Sequence, residues 1–411
     1  MKIRKLAHIL FLVAILFIFL LLPKSITTSA QYSTTAFVVG IGLDKSEELE
    51  GVSLCAQIVA GKPNAASSES YQLVSADGID VVEAVDNLRK QLGKTLGLSH
   101  CYVIVVSDDI CNKYNLATLL DPIVRTERLG TNVILAHTNK KAKDLLLACE
   151  EIGGDAQNVL ENLTKYNNEY LLNKDASIYD FYQDYNSQHK TGIMVTIDFK
   201  EQDQKQAQKS GSDDTKDSQS SQTQSNNTLP QKKIVNNGTA VAFYEGKKAA
   251  VVNEDVLKGL GWIDCTSKFN TVKLHNINTE KLKNATITLQ QKECNIKQKA
   301  SINNGTPSLH LDLFVKAKII AVEDEKIISI SNLSEYFDKT LEEKLQELVM
   351  EESSKACEFQ REHNLDILNF YQVFNTQIHN EWQNYLKTLD NKDEYATKIQ
   401  VFVKTYLTQA N

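Results

Sequence analysis

The sequence predicts a mixed fold, part α/β and part α+β, in three consecutive domains. Each is expected to be a mixed or antiparallel sheet packed with helices, behind an N-terminal signal or anchor helix. Three observations predict it. A basic and then strongly apolar segment opens the chain, strands and helices alternate from Ala36 onward, and the last third pairs long strands of period two with one long helix. A length of 411 residues with 42% apolar and 24% charged residues is ordinary globular make-up for two or three domains.

Residues 1–30 read as a signal peptide or signal anchor. "MKIRK" supplies a basic flank, and "LAHILFLVAILFIFLLLP" an apolar run of about 17 residues, slightly short of the roughly 20 that span a bilayer. Thr28 and Ala30 in "TSAQ" occupy the small-residue positions of a cleavage site, so the segment is either cut after Ala30 or retained. Lys2, Arg4 and Lys5 on the short flank place the body outside the cytoplasm by the positive-inside rule.

Residues 32–168 are expected to form an N-terminal α/β domain. "AFVVGIGLDK", "GVSLCAQIVA" and "YQLVSADG" read as three strands, the second with apolar residues at Val52, Leu54, Ala56 and Ile58. "IDVVEAVDNLRKQLGK" places Val82, Val85, Leu88 and Leu92 on one helical face with Gly93 near its end. "SHCYVIVVSDD" is apolar enough for a strand covered on both faces. A helix from about Asn115, the strand "TNVILAHT" and the helix "KKAKDLLLACEEI" continue the alternation.

Residues 169–272 are expected to form a small middle domain, interrupted by a disordered linker at 201–233. A helix in "DASIYDFYQDYNS" has Asp175 or Ser177 as its N-cap, and the strand "TGIMVTIDF" follows. The linker is Gln, Ser, Asp, Lys and Asn with almost nothing apolar, so it cannot offset its ordering entropy. "GTAVAFYEGKKAAVVNEDVLKGLGWID" then reads as strand, turn at Gly246, strand and a short helix ending at Gly259 and Gly261 before a packed Trp262.

Residues 273–411 are expected to form an antiparallel sheet with a long helix across it. Asn304-Gly305 is a hairpin turn between two long strands, with Leu309, Leu311, Leu313, Val315 and Ala317 on one face and His310, Asp312, Lys316 and Lys318 on the other. The helix carries Phe337, Leu341, Leu345, Leu348 and Phe359 on its apolar stripe, and "ATKIQVFVKTYL" closes the chain as a strand.

No constellation of residues points to catalysis, and no catalytic, cofactor-binding or metal-ligating residue is assigned. The glycines match neither GxxxxGK[ST] nor GxGxxG, and "GIGLDK" at Gly40 runs on toward another strand, so the glycine-bounded segments read as architecture. The eight histidines form no HExxH; His363 and His379 are too far apart for one helical face, and His100 and His137 read as structural. No GxSxG elbow is present, and the carboxylates lie at helix-surface spacings. The seven cysteines contain no CxxC, and their odd count argues against a disulfide framework; Cys55, Cys101, Cys111, Cys149, Cys265, Cys294 and Cys357 read as small buried hydrophobes. A net charge of −7 gives no basic field for nucleic acid.

Four stretches together resemble one family. "AFVVGIGLDK" is similar to a first strand carrying IGxD, with Gly42 and Asp44 around Leu43. "AVDNLRKQLGKTLGLSHCYVIVVSDDI" is similar to that family's helix–turn–strand, "GTAVAFYEGKKAAVVNEDVLKGLGWI" to its hairpin and helix, and the long helix running into "DILNFYQVFNTQIHNEWQ" to its C-terminal domain. The chain thus resembles the Ger(x)C proteins, the C subunits of bacterial spore germinant receptors. The resemblance implies a non-enzymatic extracytoplasmic subunit of three domains, without cofactor or metal. Its implied partners are the receptor's A and B subunits and the membrane, which here would be reached through the N-terminal helix; no small-molecule ligand is identifiable. The complex senses nutrients in the spore inner membrane. Gly238, Gly259, Trp262 and Asp366 match family positions, and each also has an architectural explanation: Trp262 as a core filler, Asp366 as a helix cap. One departure stands out: "LLLPKSITTSAQY" has no cysteine to take a lipid, which makes a retained signal anchor the preferred reading. An exported solute-binding protein is the alternative, predicting a cleft with convergent polar groups. An exported hydrolase comes third.

Overall fold

A computed structural model describes residues 34–60, 70–126, 129–152, 177–201, 232–265, 271–323 and 336–409. The signal or anchor at 1–30, the Asp175 cap and nearly all of the 201–233 linker lie outside them.

The first sheet has the order β3-β2-β1-β5-β6-β7-β8-β9, with the short β4 (Thr95–Gly97) also beside β1. Its strands are β1 (Thr35–Lys45), β2 (Val52–Ala60), β3 (Ser70–Gly78), β5 (Val103–Ser107), β6 (Ile134–Thr138), β7 (Thr191–Glu201), β8 (Lys232–Tyr244) and β9 (Lys247–Val252). β1, β5 and β6 are mutually parallel, flanked by antiparallel β2–β3 on one side and β7–β8–β9 on the other. Parallel strands need crossovers, and the chain supplies them as α1 (Val81–Leu92), α2 (Asp108–Lys113) and α3 (Leu116–Thr126). These, with α5 (Ile178–Asn186), share a core with Ile41, Leu43, Ile104 and Val106 on one face; α4 (Ala142–Glu151) packs on Val103, Val105 and Ala136 on the other. Both faces are therefore covered, which is why β5 is apolar from Val103 to Val106, with only the buried Ser107 at its end polar.

Among the helices packed on this sheet, one detail departs from the sequence pattern and one follows it. On α1 the buried stripe is Val81, Ala84, Val85 and Leu88, while Val82 is 49% exposed. Val85 and Leu88 stay on the expected face, but at the first turn it is Val81 that turns inward; Asp80 caps the helix by accepting from the Glu83 amide. For α5 the cap is Ser177, whose side chain forms a reciprocal capping box with Asp180.

The strands of the expected middle domain continue the first sheet: β7 joins β6 through His137 and Thr196, and β7 and β8 remain paired out to Glu201 and Lys232. Next comes α6 (Glu254–Asp264), capped by Asn253. It does not stop at glycine as expected. Gly259, Gly261 and Trp262 all lie inside it, and the left-handed residue that ends it is Cys265, at φ 51°.

The second sheet, β10-β11-β12-β13, consists of β10 (Val272–Ile277), β11 (Ala285–Asn303), β12 (Thr306–Glu323) and β13 (Gln400–Gln409). Asn304 and Gly305, at φ 51° and 78°, form the tight turn between the two long strands. The expectation of an antiparallel sheet holds only for β10–β12. β13 pairs parallel with β12, from Ser308↔Gln400 to Ala317↔Gln409, because it returns through helices rather than a hairpin.

Those helices are α7 (Lys339–His363), α8 (Phe370–Gln377) and α9 (His379–Leu386). α7 starts after Phe337, capped by Asp338, and ends at left-handed Asn364, so the expected continuous helix is broken there. Its buried stripe, Leu341, Leu345, Val349, Ala356 and Phe359, lies over Leu311, Leu313 and Val315, and one core joins these to α6. Trp382 is fully buried among Phe374, Tyr371 and Tyr395.

The cysteines hold a further correction. Cys55, Cys101, Cys111 and Cys149 are buried and outside any disulfide, but Cys265 and Cys294 are joined, with their Cα atoms 5.3 Å apart. An even subset of an odd count can pair, and here the helix end delivers Cys265 onto β11. A bridge across a sequence separation of 29 contributes about 3 kcal/mol by restricting the unfolded chain. Cys265→Ser is thus expected to lower the urea midpoint, and a reductant to lower the wild type but not the variant. Equal midpoints for the oxidised wild type and the variant would refute this.

Candidate functional site

Polar residues gather at the C-terminal edge of β1, β5 and β6, where open α/β sheets commonly hold ligands. Gly42 has no side chain because a Cβ there would lie 2.5 Å from Cys55 Sγ and 3.1 Å from Ala142 Cβ. The first turn of α4 therefore comes close to the sheet, and Asp44 reaches across to accept from the amides of Ala142 (2.7 Å) and Lys143 (2.9 Å). Burial pushes the Asp44 carboxyl above its ordinary value, and these amides and Ser107 partly offset that. The IGxD pair is thus a glycine for approach and an aspartate for capping.

Beside it, His137 is buried between Thr196 Oγ1 (Nδ1, 3.0 Å) and Asp108 Oδ1 (Nε2, 2.9 Å). Asp108 also accepts from Lys248 of β9 and from Asn112 at 2.7 Å. Partial burial works to raise the Asp108 carboxyl, but Lys248, His137 and Asn112 outweigh it and hold it below the ordinary value. Asp198 accepts from Thr138 Oγ1 at 2.7 Å and from the Asn139 side chain at 2.9 Å. The carboxylates and the imidazole here are engaged in bonds that stitch β1 to α4, β6 to β7 and, through Asp108 of α2, β6 to β9. Such an arrangement is suited to holding strands in register.

His137 makes that network sensitive to pH. Burial, opposed by Asp108, lowers its pKa below the ordinary 6.5. The folded state then binds less proton than the unfolded one, so the contribution to stability is complete above about pH 6.5 and lost as pH falls through the depressed folded value. The urea midpoint is expected to decline from pH 7.5 toward pH 5.5, with a shallower decline in His137→Gln. Identical pH profiles for the two proteins would rule this out.

Of the remaining family positions, Gly259 and Trp262 meet at the joint between the sheets. A Cβ on Gly259 would lie 2.0 Å from the Glu352 carbonyl oxygen and 2.9 Å from Ala356 Cβ, so glycine is what lets α6 and α7 cross in contact. Trp262, 1% exposed, donates from Nε1 to Glu352 Oε2 at 2.6 Å. Burial raises the Glu352 carboxyl, against the pull of Trp262 and Lys258. Gly238 has φ 66°, and a Cβ on it would lie 3.3 Å from Glu254 Cγ. Asp366 caps α8, accepting from the amides of Phe370 (2.7 Å) and Tyr371 (2.8 Å), and also takes the Tyr395 hydroxyl at 2.8 Å. Gly259 and Trp262 come together; Asp366 and Gly238 serve separate places. His100 sits edge-on to Phe37, His363 stacks on Phe359, and His379 bonds Asn375.

A cleft of about 380 Å³ opens along the same joint. Its floor includes the buried His189, Thr191, Leu260, Ile263 and Ile367, and Asp264 and Gln372 stand at its exposed rim. Asp184 also lines it, with Oδ1 3.8 Å from His189 Nε2. Its walls come from α5–β7, α6, β11 and the 367–373 segment, so no local pattern in the sequence announces it. Among the described residues, no group of three or more His, Cys, Asp or Glu is placed to hold a metal.

Family models match both halves of the chain: "Spore germination protein N-terminal domain" over residues 29–199 and "Spore germination B3/ GerAC like, C-terminal" over residues 237–410. The chain belongs to the Ger(x)C family. A solved structure described as "Crystal Structure of the GerBC protein" shares this fold at a TM-score of 0.50 and 15% identity, covering 90% of this chain and 97% of that one. Among curated proteins none matches. The two family models lie on either side of the polar tract.

Proposed function

We propose that this Ger(x)C protein is a non-enzymatic, extracytoplasmic subunit of a spore nutrient-germinant receptor, acting through protein–protein contacts beside the A and B subunits. The observation that carries the reading is the pair of family models, which together run from residue 29 to residue 410 around a single polar tract. The internal engagement of the polar edge of the first sheet supports a structural role for those residues over a catalytic one. Among the described residues, no helix is long and apolar enough to cross a membrane. Attachment at the outer face of the spore inner membrane is therefore assigned to the N-terminal apolar segment, retained as an anchor in the absence of a lipid-bearing cysteine there. Confinement to the membrane would raise the effective concentration of the subunit near its partners. The three-domain division is kept as residues 32–168, 169–272 and 273–411, with the strands of the middle unit continuing the first sheet.

The test is nutrient-triggered germination of spores lacking the gene, followed by loss of optical density across a germinant panel. Loss of response to one germinant class, with germinant-independent triggers intact, is the expected result. An unchanged response to every germinant, in a strain whose parent spores contain the protein, would remove the receptor reading. The solute-binding alternative is favoured by one observation, the cleft between the sheets.

A further inference from the structure

We propose that the end of the first sheet at which β1, β5 and β6 begin rests on the bilayer surface, with Tyr102 and Tyr179 seated among the lipid headgroups. This deepens the receptor reading and rests on its retained N-terminal anchor. Backbone bonds put the two tyrosines at one end of the molecule. The Tyr102 amide donates to the Val39 carbonyl of β1 at 3.0 Å, and the Tyr102 carbonyl accepts from Ile134, the first residue of β6, at 2.8 Å. Ile178 and Tyr179 open α5 by donating to the carbonyls of Val133 and Thr131, just ahead of β6. Tyr102 is 41% exposed and Tyr179 57%. A tyrosine joins an apolar body to a polar tip, the combination that settles at a membrane–water boundary.

The charge at this end fits the same surface. In the turns that border it, residues 93–102 and 129–132, Lys94 is present and no carboxylate occurs; α1 ends here with Lys90 in its last turn. Asp180, beside Tyr179, is engaged by the Ser177 hydroxyl at 2.6 Å. Glu150 and Glu151 end α4, which covers the other face of the sheet. At the opposite end, the turns 46–51 and 78–80 carry Glu47, Glu48, Glu50 and Asp80, against Lys140 and Lys141. Anionic lipid attracts the first of these ends more than the second.

The tether points the same way. Residues 24–33 join the apolar run to Thr34, where the described chain begins, and such a length spans at most about 35 Å. β1 starts at Thr35, and its 11 residues rise roughly 36 Å before the other end of the sheet is reached. Bringing that far end onto the bilayer would stretch the tether along the whole strand, whereas the tyrosine end is reached at once. The far end exposes Ile79 and Val82, so it is the apolar surface against which the proposal is tested.

The full chain is reconstituted into vesicles of phosphatidylethanolamine and phosphatidylglycerol, with and without phospholipid brominated high on its acyl chains. Trp262 and Trp382, both buried, set the wild-type fluorescence. Tyr102→Trp and Tyr179→Trp each add an indole at the tyrosine end, and Ile79→Trp adds one at the other. All three positions are exposed, so the replacements leave the core alone. Brominated lipid is expected to remove a larger share of the emission in Tyr102→Trp and Tyr179→Trp than in the wild type, and no larger a share in Ile79→Trp. If the chain sediments with the vesicles but either tyrosine-end variant is quenched no more than the wild type, or Ile79→Trp is quenched as strongly, the orientation is overturned while the anchor stands. A chain that does not sediment with the vesicles would overturn the retained anchor and the orientation with it.

Discussion

Asp366→Ala is expected to destabilise the protein by about 4 kcal/mol, because it leaves three buried donors without an acceptor at roughly 1–3 kcal/mol each. Those donors are the amides of Phe370 and Tyr371, which open α8, and the hydroxyl of Tyr395, which is pushed far above its ordinary pKa by burial and then by the Asp366 charge. Asp366 itself is only 2% exposed, so water has no ready route to replace its oxygens. Tyr395→Phe removes one donor and is expected to cost about 1 kcal/mol alone, the net worth of an ordinary hydrogen bond. Combined with Asp366→Ala it should add little, since the partner is already gone. Urea unfolding of the two single variants and the double variant measures this directly. A loss below about 1 kcal/mol for Asp366→Ala would mean that other acceptors take over, and the cap would not be essential.

Gly259→Leu is expected to cost about 3 kcal/mol, at the upper end of ordinary overpacking, even though leucine is the better helix former by close to 1 kcal/mol. The neighbour it would strike is backbone: the Glu352 carbonyl oxygen 2.0 Å from the new Cβ and its carbon at 2.8 Å. Backbone in the middle of a helix cannot rotate away, so α6 and α7 must separate. Separation would lengthen the 2.6 Å bond from Trp262 to Glu352 and expose the indole. A red shift of Trp262 emission should therefore accompany the lowered urea midpoint. Wild-type stability and emission in Gly259→Leu would show that the helices part without cost, contrary to the contact described here.

These two residues illustrate how unevenly the sequence discloses its structure. Asp366 was readable as a cap, because an acidic residue ahead of an apolar run is a local signal, but its third bond, to Tyr395, was not. Gly259 was visible as a glycine in "KGLGW" and misread as a helix end. Its reason lies on α7, almost a hundred residues further on, where only packing could place a carbonyl. Val82 was misassigned because its neighbour Val81 is equally apolar, and only packing shows which of the two turns inward. The Cys265–Cys294 pair escaped notice since counting cysteines says nothing about which are brought together.

The sequence by itself determined the mixed α/β character, the order of strands and helices, the Asn304-Gly305 hairpin, the alternating faces of β12 and the family. All of these rest on periods of two or 3.6 residues, on turn chemistry, or on motifs within a short stretch of chain. Tertiary structure alone decided that β7–β9 extend the first sheet, that β13 runs parallel to β12, and that α6 threads its glycines against α7. It also decided the cleft, whose Asp184, Asp264 and Ile367 come from separate elements. The physical reason is the same in each case. Strand pairing, helix contact and a shared cavity depend on distances between residues far apart in the chain, and local patterning does not carry those distances.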